Sequence, residues 1–215
     1  MAKSKTFAPK QTRSKQSESR LLKAAVEILN EKGLAAATVP RVAARAGLSA
    51  GSVYRRFPDK DALLRTVVLS TLESLDSANK AALTPQLAKI TSLRTLAEIM
   101  VEQSLRSYRK NVGLLRALFQ FTTSHPSQAF RLKVAELNLR AVQRVADFLL
   151  LKRKEIKHPH PERAVLFGLM QVGITLEGII VLDTVPEVRD PWLPKTDDEL
   201  ARELTRVFLG YLKVD

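Results

Sequence analysis

The chain has 215 residues, no cysteine, and a net charge of +13 from 35 basic and 22 acidic side chains. With 45% hydrophobic and 27% charged residues it can bury a real core, which excludes a disordered chain, a collagen and a coiled-coil rod. The missing cysteine excludes a disulfide framework, a thiolate metal site and a cysteine nucleophile, and fits a cytoplasmic setting.

Charge is uneven along the chain. Residues 1–60 carry 13 basic and 4 acidic side chains, +9 of the total. A positive end of this kind is the footprint of a polyanion, either nucleic acid or an anionic membrane. Residues 1–16 are polar and basic without hydrophobic period and read as a disordered arm. Its Lys3, Lys5, Lys10, Arg13 and Lys15 serve either a neighbouring minor groove or a passive tail.

A first helix is expected after Ser17 or Ser19, with Leu21, Leu22, Ala25, Ile28 and Leu29 on one stripe and Gly33 at its end. Thr38 caps a second helix through Ala46, with Pro40 in the first turn where its missing N–H costs nothing. Gly47 closes it, and Ser49 caps a third helix over 50–57. Asp59 caps a long helix to about 83, whose buried stripe is Leu63, Leu64, Val67, Val68, Leu72 and Leu75.

Pro85 marks a break. Helices are then expected over 92–111, 112–123 and 127–156, the last opened by Pro126. The run His158-Pro159-His160-Pro161 is a stop, 162–182 is an apolar helix, 183–195 is a loop holding Trp192, and Thr196 caps a final helix over 196–212. No strand pattern or repeat occurs. The stretch 164–182 has nearly the length of a membrane span. It contains Gln171 and Glu177, however, and a carboxylate at bilayer depth costs about 2.5–3.5 kcal/mol. A buried bundle helix accounts for it better, so no membrane partner is expected.

Function is carried by 38–57, TVPRVAARAGLSAGSVYRRF. Ala43 is small where two helices approach, Gly47 four residues later permits the turn, and Val53 six residues further plugs the second helix into the core. Such a second helix can enter a major groove, its first residues at base edges. Ala50, Gly51 and Ser52 allow close approach, and Ser49 leaves N–H groups for phosphate. Tyr54 is a candidate phosphate contact, Arg55 or Arg56 a reader of guanine, and Thr38 and Lys60 are placed at two other helix starts for the backbone. Arg41 and Arg45 read either as DNA-side charges, Arg41 with the DNA set, or as a solvated face.

Residues 20–64 resemble the DNA-binding domain of TetR/AcrR-type transcriptional regulators. The matching features are Gly33, Thr38, Ala-Gly-Leu-Ser-x-Gly-Ser-Val-Tyr at 46–54, Phe57 and Asp59-Lys60. Pro40 and Arg56 depart from the pattern. The resemblance implies an all-α protein: a three-helix helix-turn-helix domain at 17–62 and a helical effector-binding and dimerisation domain at 63–215. It also implies a homodimer through 162–182 and 196–212, bound to a palindromic operator on double-stranded DNA. A small-molecule effector then releases a repressor.

The candidate effector pocket combines apolar Met100, Tyr108, Phe119, Phe148 and Phe167 with polar Gln120, Gln171, Thr175 and Glu177, since ligand sites are mostly apolar with few polar groups. Each apolar member also reads as plain core. Glu177 reads as a cationic-effector contact, a salt bridge or a dimer-interface group. His158 and His160 lack a third ligand and read as loop, and His125 as an ordinary helix-end histidine. No catalytic constellation can be assembled, so neither an enzyme nor a metal or other cofactor is expected.

Overall fold

The computed structural model describes residues 8–183 and 194–214, all helix and connecting turns with no strand among them. Helix α1 (Ala8–Ala36) bends at Gly33, whose φ of 73° is the left-handed region open to glycine. Helices α2 (Val39–Arg45) and α3 (Ala50–Tyr54) follow, then the long α4 (Lys60–Ala82). Helices α5 (Pro85–Ile90), α6 (Leu93–Lys110), α7 (Val112–Thr123) and α8 (Gln128–Leu149) lead into a 3-10 segment at Leu150–Glu155. Helix α9 (Pro161–Leu176) runs on into a π turn at Glu177–Val181, and α10 (Asp197–Leu212) ends the fold.

Local cap chemistry sets most helix starts. Thr38, Ser49, Asp59, Ser92 and Thr196 each accept a backbone N–H from the first turn, and Thr196 forms a full capping box with Glu199.

Four expectations are corrected. Helix α1 begins at Ala8, inside the segment read as a disordered arm. Pro9 sits in its first turn, where its missing N–H is harmless, and nothing from Lys10 to Ser19 breaks a helix. Helix α3 stops at Tyr54 rather than 57, because Pro58 pushes Phe57 away from helical geometry. Pro85 starts a helix instead of marking a break, since Thr84 caps it from the preceding position. The helix read as 127–156 is α-helical only to Leu149. The readings of Lys3, Lys5 and Trp192 lie outside the described residues.

Two main cores result. The amino-terminal one joins Leu21, Ile28 and Leu29 of α1 to Val42, Val53 and Phe57, and extends to Leu63, Leu64 and Val67 of α4 and Leu114 and Ala117 of α7. The second unites Leu96 and Val101 of α6, Val165, Val172 and Leu176 of α9, and Leu204 and Phe208 of α10. The segment Pro161–Val181 is apolar and long enough to cross a membrane, yet one side of it packs in this second core. Leu75, assigned to a buried stripe, is half exposed because α4 has by then left the head.

Arg144 on α8 grips Asp76 on α4 with both nitrogens, at 2.6 and 3.0 Å, and that hydrogen-bonded pairing holds the Asp76 carboxyl below its ordinary range.

Candidate nucleic-acid interface

The reading head is built from the turn outward. Gly47 takes φ 66°, the Leu48 N–H donates to the Ala43 carbonyl at 2.9 Å, and α3 is thereby set across α2. Val53 and Phe57 are buried on its inner side. On the outer side, Ser49 Oγ accepts the Ser52 N–H at 3.2 Å while Ser52 Oγ donates to the Ser49 carbonyl at 2.7 Å. Ala50 is half-buried, Gly51 is exposed with open space where a side chain would start, and Tyr54 is 46% exposed.

The four arginines part ways. Arg45 bonds Glu31 at 2.6 and 3.0 Å and Glu27 at 3.1 Å, and this pairing lowers the Glu31 carboxyl. It braces α2 against α1. Arg41 donates to the Ala36 carbonyl at 3.3 Å. Arg56 donates to Ser14 Oγ at 2.6 Å and pairs with Glu18 at 3.4 Å. Among these four, Arg55 alone has no side-chain hydrogen bond or ion pair with the described residues, so of Arg55 and Arg56 it is the one whose fork is open to a ligand. Lys60 donates to the Leu34 carbonyl at 2.8 Å, which ties the start of α4 to the end of α1.

One link between the head and the rest of the chain escaped the sequence. His125 is 5% exposed and links the head to the rest of the chain. Its Nδ1 accepts the Ser127 N–H at 3.0 Å, so Nε2 carries the proton and donates to Asp61 at 2.9 Å. Phe121 and Phe130 enclose the ring, with centroids 5.1 and 4.6 Å away, and Arg131 donates to its carbonyl. The first turn of α4 is thus latched to the corner between α7 and α8. Phe121 and Phe130 flanking a histidine were the available sequence signal. The partner Asp61 was not, standing 64 residues away.

The nine effector candidates do not converge on one cavity. Tyr108 lies within reach of the Glu177 charge, with Met100 and Tyr108 packed on the second core. Phe148 is buried within that core, and Phe119 and Gln120 face outward on α7. Phe167 is exposed beside Tyr211, at 5.6 Å between rings, and Thr175 donates to the Gln171 carbonyl at 2.8 Å. A groove of about 630 Å³ between α6 and α10 is lined by other residues, including Arg94, Glu98, Asp198 and Arg202. His158 stands beside Tyr211 at 5.1 Å between ring centroids, with His160 6.3 Å from His158, and no cluster of three metal-binding side chains occurs among the described residues.

Burial raises the Glu177 carboxyl above its ordinary range, and burial together with the Glu177 charge raises the Tyr108 hydroxyl. The folded state therefore holds the Glu177 proton more tightly than the unfolded chain. Its stability contribution is fully present below the unfolded pKa and is lost as pH rises through the folded one. Glu177→Gln is expected to raise the melting temperature at pH 7–8. It should flatten the pH dependence just above the ordinary carboxyl range and converge with the parent near pH 4. A thermal melt series checks this, and a variant less stable at pH 7 would show that the carboxylate has a stabilising partner.

Fold and head define an all-helical protein with an amino-terminal helix-turn-helix. Residues 21–67 match the family model described as bacterial regulatory proteins, tetR family, so the head is similar to the DNA-binding part of that family. The HTH-type transcriptional regulator BetI of Cronobacter sakazakii is 31% identical over 115 residues, 53% of this chain and 56% of that protein. BetI 1 of Chromohalobacter salexigens is 41% identical over 58 residues, 27% of this chain and 29% of that protein. The matched stretch thus spans about half the length of the first of these relatives and less of the second. Both relatives are named as HTH-type transcriptional regulators.

The overall fold is shared with a protein from Mesorhizobium loti assigned to the TetR family of transcriptional regulators, at TM-score 0.70 and 20% identity, covering 92% of this chain and 97% of that one. It is also shared with the transcriptional regulator FadR of Bacillus subtilis in complex with stearoyl-CoA, at TM-score 0.63 and 15% identity, covering 90% and 98%.

Proposed function

We propose that the protein is a cytoplasmic, homodimeric transcriptional regulator, a repressor that leaves a palindromic operator when a small molecule binds. The observation that carries this reading is α3: a Ser49-capped helix on a strongly basic head, its outer face small at Ala50, Gly51 and Ser52, with Tyr54 and the unpaired Arg55 beyond. Residues 17–62 supply the reading head and 63–215 the effector and dimer part. Thr38, Arg41, Arg56 and Lys60 act mainly by setting the geometry around α3.

The dimer is supported by an apolar stripe that the single chain leaves uncovered: Phe167, Met170 and Ile174 on α9, Val207 and Tyr211 on α10. Two copies joined there, across 162–182 and 196–212, would present two α3 helices to successive major grooves about 34–36 Å apart. The effector reading is supported where α6, α7 and α9 meet around Met100, Tyr108 and Glu177. There a half-buried carboxyl with no side-chain hydrogen bond among the described residues lies at a π turn, a feature frequent at functional sites. Arg116 on α7 donates to the Val181 carbonyl at 2.6 Å, so a ligand wedged there acts on α7 and, through His125 and Asp61, on the head. The ligand can shift the head only by its differential affinity for the two states.

Titration onto a duplex with a preferred sequence tests the site. Arg55→Ala is expected to lose about 1–3 kcal/mol of discrimination at one base pair per half-site. Tyr54→Ala should weaken binding to all duplexes alike. Sedimentation should count two chains per duplex. Unchanged affinity and preference in both folded variants would refute the assignment.

A further inference from the structure

We propose that the amino-terminal extension of α1, residues 8–20, is a second DNA-contacting element, held against the recognition helix by Arg56 and bearing on phosphates beside the bases that α3 reads. This rests on the DNA-binding reading above and adds a surface to it. Three observations carry it.

The extension is a helix continuous with α1, so it is aimed rather than loose. At 1.5 Å rise per residue, the stretch from Ala8 to Ser17 adds about 14 Å of helix, equal to the axial rise of about four base pairs.

Arg56 fastens it to the head. Its guanidinium reaches across 42 residues to Ser14 Oγ at 2.6 Å and pairs with Glu18 at 3.4 Å. Between α1 and α3 lies a groove of about 520 Å³, edged by Ser14, Ser17, Ser52, Arg55 and Arg56 over an apolar floor. Hydroxyls and guanidinium groups around a shallow groove are the chemistry that holds a phosphodiester. Ser52 and Arg55 belong to the recognition surface as well, so the two surfaces are continuous.

The charge fits one occupant. Residues 1–20 carry six basic side chains and one acid, Glu18. That acid is the one engaged by Arg56, so the segment's net charge is strongly positive, the sign that suits a polyanion. An acidic protein would need no groove shared with α3, whereas the duplex lying on α3 passes directly beside it.

The test compares the wild type with the triple variant Lys10→Ala, Arg13→Ala, Lys15→Ala, and with a control triple in the other domain, Lys80→Ala, Lys89→Ala, Lys110→Ala. Alanine keeps the helix, and circular dichroism verifies it. Affinity is measured over a salt series on the selected duplex and on a random-sequence duplex.

The first triple is expected to lower the slope of log affinity against log salt by about 2–3 on both duplexes while keeping the preferred sequence; the control triple should leave the slope unchanged. Arg56→Ala should lower the slope without altering base preference, and should add little to the first triple because both act through the same element. A wild-type slope in the first triple, or a changed base preference in Arg56→Ala, would overturn the inference. Failure of the wild type to prefer any sequence would instead sink the regulator reading, and the random duplex still decides on the extension.

Discussion

Gly51→Glu is expected to leave the fold intact and to reduce DNA affinity by about a hundredfold or more. A side chain at this position meets nothing within 4 Å, so the protein has room for it. Glycine is a poor helix former, and an acid in the first turn of a helix suits the dipole. The melting temperature should therefore hold or rise slightly. In the complex the same carboxylate would stand where the helix start meets the duplex. Like charge brought to an interface costs several kcal/mol, and each 1.4 kcal/mol is tenfold in affinity. Gly51→Ala separates charge from bulk and should lose far less. Parallel thermal melts and DNA titrations check both, and a Gly51→Glu protein that binds like its parent would show that α3 does not face DNA.

Gly113→Val is expected to act in the opposite sense, through the fold. A Cβ at Gly113 would stand 2.0 Å from the carbonyl oxygen of Asn30 and 2.9 Å from its carbon, both rigid backbone. Here α1 and α7 touch backbone to backbone. Asn30 seals the contact: its Oδ1 accepts the Leu114 N–H at 3.0 Å and its Nδ2 donates to the Lys110 carbonyl at 3.2 Å. Forcing the helices apart strains the crossing and strips these hydrogen bonds, at a cost of about 3 kcal/mol or more. For a chain of this size that lowers the melting temperature by about 6–12 °C. Because Leu114 and Ala117 belong to the amino-terminal core, DNA binding should be lost over the same temperature interval. An unchanged melting temperature would contradict the backbone contact.

The head was legible because its information is local. Thr38, Ser49 and Asp59 cap helices through hydrogen bonds to residues three positions away, and Gly47 marks its turn by its own conformation. The apolar period located α6, α7 and α10 for the same reason. What escaped depends on distant partners. Nothing near Arg56 announces Ser14, and nothing near His125 announces Asp61. The period of an amphipathic helix shows that a face is buried without showing what covers it. Phe119 and Phe167 therefore read as pocket candidates in the sequence and stand on the surface in the fold, while Tyr108 lies within reach of the Glu177 charge. Pro85 was read by its usual punctuation, and the neighbouring Thr84 reversed its meaning.

The latch from His125 to Asp61 gives this division a mechanical consequence. The head's last turn is fixed to the α7–α8 corner by a hydrogen bond shielded between two phenylalanine rings, so in the proposed effector response a motion of α7 would be passed to α4. Arg116 on the same α7 holds the Val181 carbonyl at the other end of the path.

The most direct measurement is a selection of random duplexes by the purified full chain at two salt concentrations, with the recovered DNA sequenced. The account predicts an inverted repeat, its half-sites about one helical turn apart, that persists at the higher salt while unrelated sequence is lost. Recovery that is wholly salt-sensitive and carries no motif would contradict it, leaving a basic protein that binds DNA by charge alone.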